Sequence, residues 1–171
     1  MGNLIETDRL ALRELQVGLD EAFVLELLSS RGFIENIGDR GVRDLESARR
    51  YILEGPGASY AQNGYGLWRV ARREDDTPVG ICGLVRRDGL EAPDVGYAFL
   101  EETWGRGYAV EAASATLDYA RRVLGLGLIL AITKPGNQAS MRVLEKIGMR
   151  FEKMITLPGM TEPSTYFTSA P

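Results

Sequence analysis

The chain has 171 residues, of which 44% are hydrophobic and 26% are charged, a balance typical of a globular protein. A chain of this length can bury ~70% of its unfolded surface without disulfides or metal ions, so we predict one domain over residues 1–171. No apolar run approaches the ~20 residues that cross a bilayer, and the start lacks the pattern of a signal peptide. We therefore expect a cytoplasmic protein without a membrane partner.

The charge and the lack of histidine exclude several classes of function. The formal net charge is −4, whereas nucleic-acid-binding proteins usually carry a basic face, so we expect no nucleic-acid partner and a cationic or amine-bearing substrate. The sequence has no histidine, which rules out Ser-His-Asp and Cys-His sites, zinc deaminase sites and H-E-x-x-H metalloproteases. A general base must then be a carboxylate, a tyrosine or a water molecule, and we predict no metal site.

In the N-terminal part, hydrophobic periodicity predicts one strand and two helices. Alternation from Leu10 to Leu15 indicates a strand, and helical spacing from Leu19 to Leu28 indicates a helix. The stretch from Ser29 to Val42 contains three glycines and is predicted to be a loop. A second helix is expected to begin at Asp44 and to end at Gly55-Pro56-Gly57.

The rest of the chain alternates predicted strands with two further helices. The apolar run around Cys82 predicts that this cysteine is a small buried side chain. One helix is expected to run to about Leu124 and another to begin near Asn137. The order β-α-α-β-β-β-α-β-α-β-β predicts an α/β protein, in which helices flank a mixed sheet. The predicted strands are Gly66 to Arg73, Pro78 to Arg87, Asp94 to Leu100, Leu128 to Thr133, and two extended pieces around Leu157 and Pro163.

The most informative segment is Trp104-Gly105-Arg106-Gly107-Tyr108-Ala109, which joins a predicted strand to an amphipathic helix. Its two glycines remove side chains from a helix N-terminus, so backbone N–H groups and the positive end of the helix dipole can face an anion. This arrangement predicts a phosphate-binding loop, with a tight strand-to-helix turn as the alternative. It is not a Walker loop, because Gly-Lys-Ser/Thr is absent, nor a dinucleotide fingerprint, because Val110 replaces the third glycine.

Two other segments carry motifs that occur together with this loop in one protein family. The chain has the pattern N-x-x-S-x-x-x-L-E-K-x-G-hydrophobic from Asn137 to Met149, and E-T-D-R-L-A-L-R from Glu6 to Arg13. With these motifs the sequence resembles the GNAT superfamily of Gcn5-related N-acetyltransferases, in its RimJ/RimL-type branch. The phosphate loop of that family, Q/R-x-x-G-x-G/A, matches Trp104 to Ala109 with Trp as the first residue. The resemblance spans essentially the whole chain and implies the GNAT fold with acetyl-CoA as co-substrate.

The resemblance also implies which residues bind acetyl-CoA. Pantetheine can hydrogen-bond along a strand edge as an added strand would, and the expected edge is Phe99, Leu100 and Glu101, beside a strand that splays away. A backbone N–H near Phe99 would polarise the thioester carbonyl. Asn137 is expected to contact the cofactor arm, although its position also fits a helix N-cap. The pyrophosphate is expected to contact the backbone of Gly105, Arg106, Gly107, Tyr108 and Ala109, with the Arg106 side chain as a further contact.

Ser140 and Asp94 are the candidate catalytic residues. The resemblance places Ser140 near the cofactor sulfur as an acid, and Leu144 stands where many relatives carry a tyrosine. Asp94 is the candidate base, because it shares a strand face with small residues that leave room for a ligand, and burial would raise its pKa. The Glu111 side chain is assigned to the helix dipole and left outside the site. Rival bases or lining residues are Glu91, Glu101, Glu162, Tyr97 and Tyr166.

These features favour an acetyl-CoA-dependent N-acetyltransferase that transfers the acetyl group directly to a primary amine. The acceptor would be a protein N-terminus or a small molecule, and the protein a monomer or a homodimer. The alternative is a non-catalytic regulatory module that binds acyl-CoA, because the base is insecure and the tyrosine of the relatives is missing.

Overall fold

The computed structural model describes residues 2–170, which form one mixed sheet with helices on both faces. The strands are β1 Ile5–Glu6, β2 Leu10–Glu14, β3 Leu67–Arg72, β4 Pro78–Val85, β5 Asp94–Phe99, β6 Leu130–Thr133, β7 Arg150–Ile155 and β8 Ser164–Thr168. The α-helices are α1 Glu21–Leu28, α2 Arg31–Asn36, α3 Leu45–Ile52, α4 Ala58–Asn63, α5 Tyr108–Arg122 and α6 Gln138–Lys146. The strands lie in the order β1-β2-β3-β4-β5-β6-β8-β7. The predicted class and element order are confirmed, with β1, α2 and α4 as additions, but the extended pieces predicted around Leu157 and Pro163 are displaced: both residues lie in the loop between β7 and β8.

The short helix α2 lies where the sequence predicted a loop from Ser29 to Val42. The Ser30 side chain caps it by accepting a hydrogen bond from the N–H of Phe33 at 3.3 Å. Phe33 is buried against α1 and α3, and this packing stabilises a helix too short to form on propensity alone. The loop prediction was therefore wrong over 31–36, because one and a half turns are too few to show a helical period.

The helix that begins after Asp44 extends beyond its predicted end at Gly55-Pro56-Gly57. Its start is confirmed by a capping box between Asp44 and the serine three residues later. The chain then widens into a π-helical turn, Leu53–Gly57, and continues through α4 to a left-handed C-cap at Gly64. The predicted end was wrong because the wider turn accommodates Pro56, which has no N–H to donate in a regular helix.

Two apolar layers attach the helices to the sheet. Helix α5 packs on one face through side chains that are at most 2% exposed: Ala112, Ala113, Leu117 and Ala120. Helices α1, α2 and α3 cover the opposite face, where Ile81 and Ala98 point towards them. Residues that alternate along β5 therefore face different helical layers.

The cysteine lies in the α5 layer. Cys82 is 0% exposed, and its Sγ lies 3.4 Å from the Thr116 hydroxyl. Burial raises the pKa of the thiol to about 12, although the hydrogen bond with Thr116 opposes this shift. The prediction of a small buried side chain is confirmed, and the thiol stays protonated at neutral pH.

The sheet opens between β5 and β6, which are parallel and share one bridge pair, Asp94 with Leu130. On its other side, β5 pairs with β4 along its whole length, from Asp94 to Phe99. Beyond the bridge pair β5 and β6 diverge, and we call the gap between them the splay. Because α5 and α6 follow the two strands in the chain, the splay brings an open strand edge close to two helix N-termini.

Candidate active site

The loop after β5 contains a row of backbone N–H groups without a protein acceptor. Gly105 and Gly107 both have a φ of +80°, a left-handed conformation that glycine adopts without strain. Across residues 2–170, no group accepts a hydrogen bond from the N–H groups of 105–109, which we call the cradle. An anion bound there would also meet the positive end of α5, a helix of 15 residues.

The N-terminal segment contacts the cradle through a set of polar contacts. Arg9 donates from its backbone N–H and from Nε to the Glu111 carboxylate at 3.0 and 2.7 Å, and the Thr7 hydroxyl donates to the same carboxylate. Arg9 Nη1 also donates to the carbonyl of Arg106 at 2.9 Å, and its guanidinium lies 4.7 Å from the ring centroid of Tyr108. Thr7, Arg9 and Glu111, which we call the clamp, therefore tie the cradle to the start of β2.

Glu111, which the sequence assigned to the helix dipole alone, also contacts the N-terminal segment beside the cradle. Burial alone would raise the pKa of its carboxyl, but hydrogen bonds from Thr7 and Arg9 outweigh this effect and lower the pKa. The residue stays ionised at neutral pH and keeps both partners. Its place in the first turn of α5 fits the dipole explanation, yet its partners precede it by 104 and 102 residues. The N-terminal motif that contains both partners was the available signal.

The free edge of β5 is formed by the backbones of Tyr97 and Phe99. The N–H of Leu100 donates to the carbonyl of Val79 at 2.9 Å, so alternation turns the N–H groups of Tyr97 and Phe99 towards the splay. The indole of Trp104 donates to the Phe99 carbonyl at 2.9 Å. Of the predicted edge residues, Phe99 lies on the edge, whereas the N–H of Leu100 points to β4.

Glu101, the third predicted edge residue, follows the strand and contacts α2 instead. Its carboxylate accepts a hydrogen bond from the N–H of Gly32 at 2.6 Å. The Trp104 ring lies so close that a Cβ added to Gly32 would be 2.8 Å from it. On the other side of the splay, Lys134 Nζ donates to the carbonyl of Glu35 at 2.9 Å. Helix α2 therefore bridges the mouth of the splay from the end of β5 to the end of β6.

Helix α6 brings Ser140 to the splay. The Asn137 side chain accepts a hydrogen bond from the N–H of Ser140 at 3.2 Å, which confirms the predicted N-cap. The Ser140 hydroxyl lies 2.8 Å from the hydroxyl of Tyr97, which is also 3.1 Å from the Ser140 carbonyl. Ser140 is thus connected to the strand whose edge is open, while Leu144 is buried in the core. The contact of Asn137 with a cofactor and the acid role of Ser140 stay predictions.

Asp94 lies at the closed end of the splay and belongs to the opposite face of the sheet from Tyr97. It is 1% exposed, and its carboxylate accepts a hydrogen bond from Arg87 Nε at 2.9 Å. Burial raises the pKa of Asp94 to about 6, although the charge of Arg87 opposes this shift. Gly96 and Ala98 share its strand face. This carboxyl can gain and lose a proton near neutral pH, and its role as the base stays a prediction.

The other predicted residues of the site are more exposed or already bonded. The hydroxyl of Tyr166 donates to Glu91, which lowers the pKa of that glutamate. Tyr166 itself is buried and packs with Leu130. Glu162 is exposed, and the exposed Arg106 side chain accompanies the cradle.

Comparison with known proteins identifies the family. A sequence model described as "Acetyltransferase (GNAT) domain" matches residues 9–150. The chain belongs to the GNAT acetyltransferase family. Among relatives from Bacillus subtilis strain 168, the uncharacterized protein YkkB is 34% identical over 153 residues, covering 87% of this chain and 86% of the relative. The uncharacterized N-acetyltransferase YnaD is 31% identical over 148 residues, covering 86% and 83%.

A solved structure agrees with the GNAT assignment. The crystal structure of a GNAT-family acetyltransferase from Bacillus anthracis is 28% identical, covers 96% of both chains and superimposes with a TM-score of 0.79. The predicted family, fold and enzyme class are therefore confirmed.

The described part of this GNAT chain, residues 2–170, has no group of three or more His, Cys, Asp or Glu side chains that could bind a metal ion. None of the helices over that span combines the length and the apolar character needed to cross a bilayer. The candidate site consists of backbone donors, two hydroxyls and one buried carboxyl.

Proposed function

We propose that this GNAT protein is an acetyl-CoA-dependent N-acetyltransferase that transfers the acetyl group directly to a primary amine. The observation behind the proposal is the cradle, because the N–H groups of 105–109 have no acceptor within residues 2–170. A pyrophosphate supplies the oxygens that such a row of donors requires. The space is also open, since a Cβ added to Gly105 would meet no atom within 4 Å. The residues of the cradle thus fit the diphosphate of acetyl-CoA.

The splay provides a place for the rest of the co-substrate. The backbones of Tyr97 and Phe99 can bind a pantetheine arm as an added strand, and the Phe99 N–H can polarise the thioester carbonyl. Asn137 lies at the start of α6, across the splay from this edge, and is our candidate for a side-chain contact with the arm. When bound, acetyl-CoA supplies an acyl group activated as a thioester.

Asp94 is proposed to accept the proton of the incoming ammonium through a chain of water molecules, because it lies five residues along β5 from Phe99, roughly 16 Å. An amine must be neutral to attack a thioester, so a carboxylate with a pKa of about 6 suits this task. Arg87 orients the carboxylate through its 2.9 Å hydrogen bond. Placing the amine beside the thioester supplies much of the rate, as in other reactions between two bound reactants.

The acceptor is proposed to be the amine of a protein N-terminus or of a small molecule. Near the mouth of the splay the exposed carboxylate of Glu101 attracts a cation, whereas Glu35 is already paired with Arg31 at 2.7 Å. The net charge of −4 acts in the same sense.

A calorimetric titration with acetyl-CoA, using adenosine diphosphate as comparison ligand, tests the cradle. We expect micromolar binding of acetyl-CoA that exceeds binding of the comparison ligand. Gly107→Ala should weaken it roughly tenfold, because a side chain at a φ of +80° costs about 1–2 kcal/mol. Gly136→Ala is the matched control, since Gly136 has no positive φ and no atom near the added Cβ. Equal affinity in the wild type and Gly107→Ala would contradict the proposal.

A non-catalytic acyl-CoA-binding module is the second candidate. Two features favour it: Leu144 replaces the tyrosine of many relatives, and the carboxylate of Asp94 is already paired with Arg87. Thiol release with a panel of primary amines separates the two functions. A regulatory module would bind acetyl-CoA but release no thiol with any amine, whereas the enzyme releases it with at least one.

A further inference from the structure

The hydroxyl of Tyr97 contacts the candidate catalytic Ser140 from the neighbouring strand. We propose that Tyr97 is a positioning residue that directs the Ser140 hydroxyl at the sulfur of the departing thiolate. Ser140 then stabilises the sulfur as a hydrogen-bond donor and keeps its own proton. This inference rests on the proposed function, because it requires a thioester in the splay. Its basis is the 2.8 Å contact between two hydroxyls that are 43 residues apart in the chain.

The Ser140 hydroxyl makes its hydrogen bond with Tyr97 and not with its own helix. A serine hydroxyl in a helix can bond a backbone group of the same helix, but the Ser140 hydroxyl contacts Tyr97, while the Ser140 N–H donates to the Asn137 side chain. Within residues 2–170, Tyr97 is the sole hydrogen-bond partner of the Ser140 Oγ. Tyr97 is itself held in place, because its backbone pairs with Cys82 in the β4–β5 ladder and its side chain packs against the α5 layer.

The Tyr97 hydroxyl has one hydrogen and two acceptors within reach. These are the Ser140 Oγ at 2.8 Å and the Ser140 carbonyl at 3.1 Å. If Tyr97 donates to the Oγ, the hydrogen of Ser140 is free to point into the splay. If Tyr97 donates to the carbonyl, the hydrogen of Ser140 points back at the phenol oxygen. Negative charge developing on a sulfur in the splay favours the first arrangement, because charge-assisted hydrogen bonds are the stronger ones.

Relative acidities show why the pair donates hydrogen bonds and not protons. A thiol has an ordinary pKa of about 8.5 and a phenol of about 10, and burial raises the pKa of Tyr97 further. Proton transfer from Tyr97 to the thiolate is therefore unfavourable, and an aliphatic hydroxyl is a weaker acid still.

The reaction balances without a proton from either hydroxyl. The amine nitrogen forms a bond to the acyl carbon, the carbon–sulfur bond breaks, and its electron pair passes to the sulfur. The amine loses its proton to Asp94 or to water, and the thiolate later takes a proton from solvent. Ser140 and Tyr97 keep theirs throughout. The Tyr97 phenol thus assists from β5, whereas many relatives carry their tyrosine at the position of Leu144.

Steady-state kinetics of Tyr97→Phe, Ser140→Ala and the double variant test the inference. Loss of a charge-assisted hydrogen bond should lower kcat roughly ten- to a hundredfold in Ser140→Ala. Tyr97→Phe should lower it less, and the double variant should match Ser140→Ala, because Tyr97 acts through Ser140. The basic side of the pH profile should be the same in all variants.

Tyr119→Phe is the matched control. Tyr119 packs in the same α5 layer, 5.5 Å from the ring of Trp68, and its hydroxyl bonds no other group within residues 2–170. It should keep the wild-type kcat. Additive losses in the double variant, an equal loss in Tyr119→Phe, a wild-type kcat in Tyr97→Phe, or a basic limb that disappears with Tyr97 would each overturn the inference.

Binding of coenzyme A and of desulfo-coenzyme A, which lacks the sulfur, gives a readout without turnover. Wild type and Tyr119→Phe should prefer coenzyme A, and this preference should fall severalfold in Ser140→Ala and Tyr97→Phe. An unchanged preference in both variants would contradict contact with the sulfur. If wild type released no thiol with any amine but its preference still depended on Tyr97, the proposed function would fail and the contact would stand. Turnover in wild type with an unaffected Tyr97→Phe would support the proposed function and overturn the positioning role of Tyr97.

Discussion

Asp94 shows how the location of one carboxyl sets its chemistry. Burial raises its pKa to about 6, well above the value of about 3.9 expected in an unfolded chain. Below the unfolded value its contribution to stability is fully present, and this contribution is lost as the pH rises through about 6. Catalysis would have the opposite requirement, since only the deprotonated carboxylate can accept a proton. At neutral pH the Asp94 carboxylate is therefore charged in the folded protein, and this charge lowers the free energy of unfolding.

The pH dependence of kcat tests Asp94 as the base. In wild type kcat should fall on the acidic side with a midpoint near pH 6, as Asp94 becomes protonated. Asp94→Asn should lower kcat about a hundredfold or more and remove this acidic limb, since an amide cannot accept the proton. Asp88→Asn, in the same loop region but exposed, should keep both. An acidic limb that persists in Asp94→Asn would remove Asp94 from the mechanism.

At the scale of elements, the clamp connects the first strands to the start of α5. Glu111 receives hydrogen bonds from Thr7 and Arg9, and Arg9 also bonds the carbonyl of Arg106 in the cradle. A loop with two glycines has many accessible conformations. The clamp restricts the loop by bonding the carbonyl of Arg106, so the N–H groups of the loop stay available to a ligand. From these contacts we expect the clamp to position the cradle.

Glu111→Gln should weaken binding of acetyl-CoA without changing the chemical step. It removes the charge that Arg9 contacts, in a pair whose side chains are 47% and 20% exposed. Such a partly exposed pair contributes on the order of 1 kcal/mol, so the KM for acetyl-CoA should rise about three- to tenfold while kcat stays near wild type. Glu102→Gln, an exposed glutamate just before the cradle, is the control. A fall in kcat at unchanged KM would contradict the positioning role.

Features encoded over a few neighbouring residues could be predicted from the sequence. The glycines of 105 and 107, the N-cap at Asn137 and the start of the helix at Asp44 each follow from local rules, and the structure has all three. The helix end at Gly55-Pro56-Gly57 also followed a local rule, but the wider π-helical turn Leu53–Gly57 accommodates Pro56 and carries the helix onward. Helix α2 could not be predicted, because it is too short to show a helical period and is stabilised by the packing of Phe33 against α1 and α3.

Contacts between distant parts of the chain could not be predicted in this way. The hydroxyl pair of Tyr97 and Ser140 depends on how α6 lies against β5, and the bonds of Arg9 to Glu111 depend on how β2 lies beside α5. No periodicity or motif spacing encodes these distances. The same reason explains why Leu100, predicted on the free edge, turns its N–H to Val79: strand register decides which residues face the splay.

For the whole molecule, the sheet consists of two parts joined by a single bridge pair. The first five strands form one antiparallel run, β6, β8 and β7 form another, and Asp94 with Leu130 connects them. A pantetheine arm along β5 would add hydrogen bonds where the sheet lacks them. Binding should therefore stiffen the contact between the two parts.

Hydrogen exchange tests this expectation. In the free protein the amides of Tyr97 and Phe99, and those of 105–109, should exchange rapidly, and acetyl-CoA should slow them at least tenfold. The amide of Leu84, which already donates to Gly66 at 3.1 Å, should serve as an unaffected reference. Protection confined to other regions would mean that the ligand does not bind along β5.

The buried position of Cys82 determines how assays of thiol release can be interpreted. It is the single cysteine of the chain, and it lies under α5 beside Thr116. A thiol-reactive dye added to the folded protein should therefore give no signal of its own, and every equivalent of colour would report one molecule of released coenzyme A. A slow rise in colour without substrates would instead measure how often the layer under α5 opens, so one reagent can follow both turnover and unfolding.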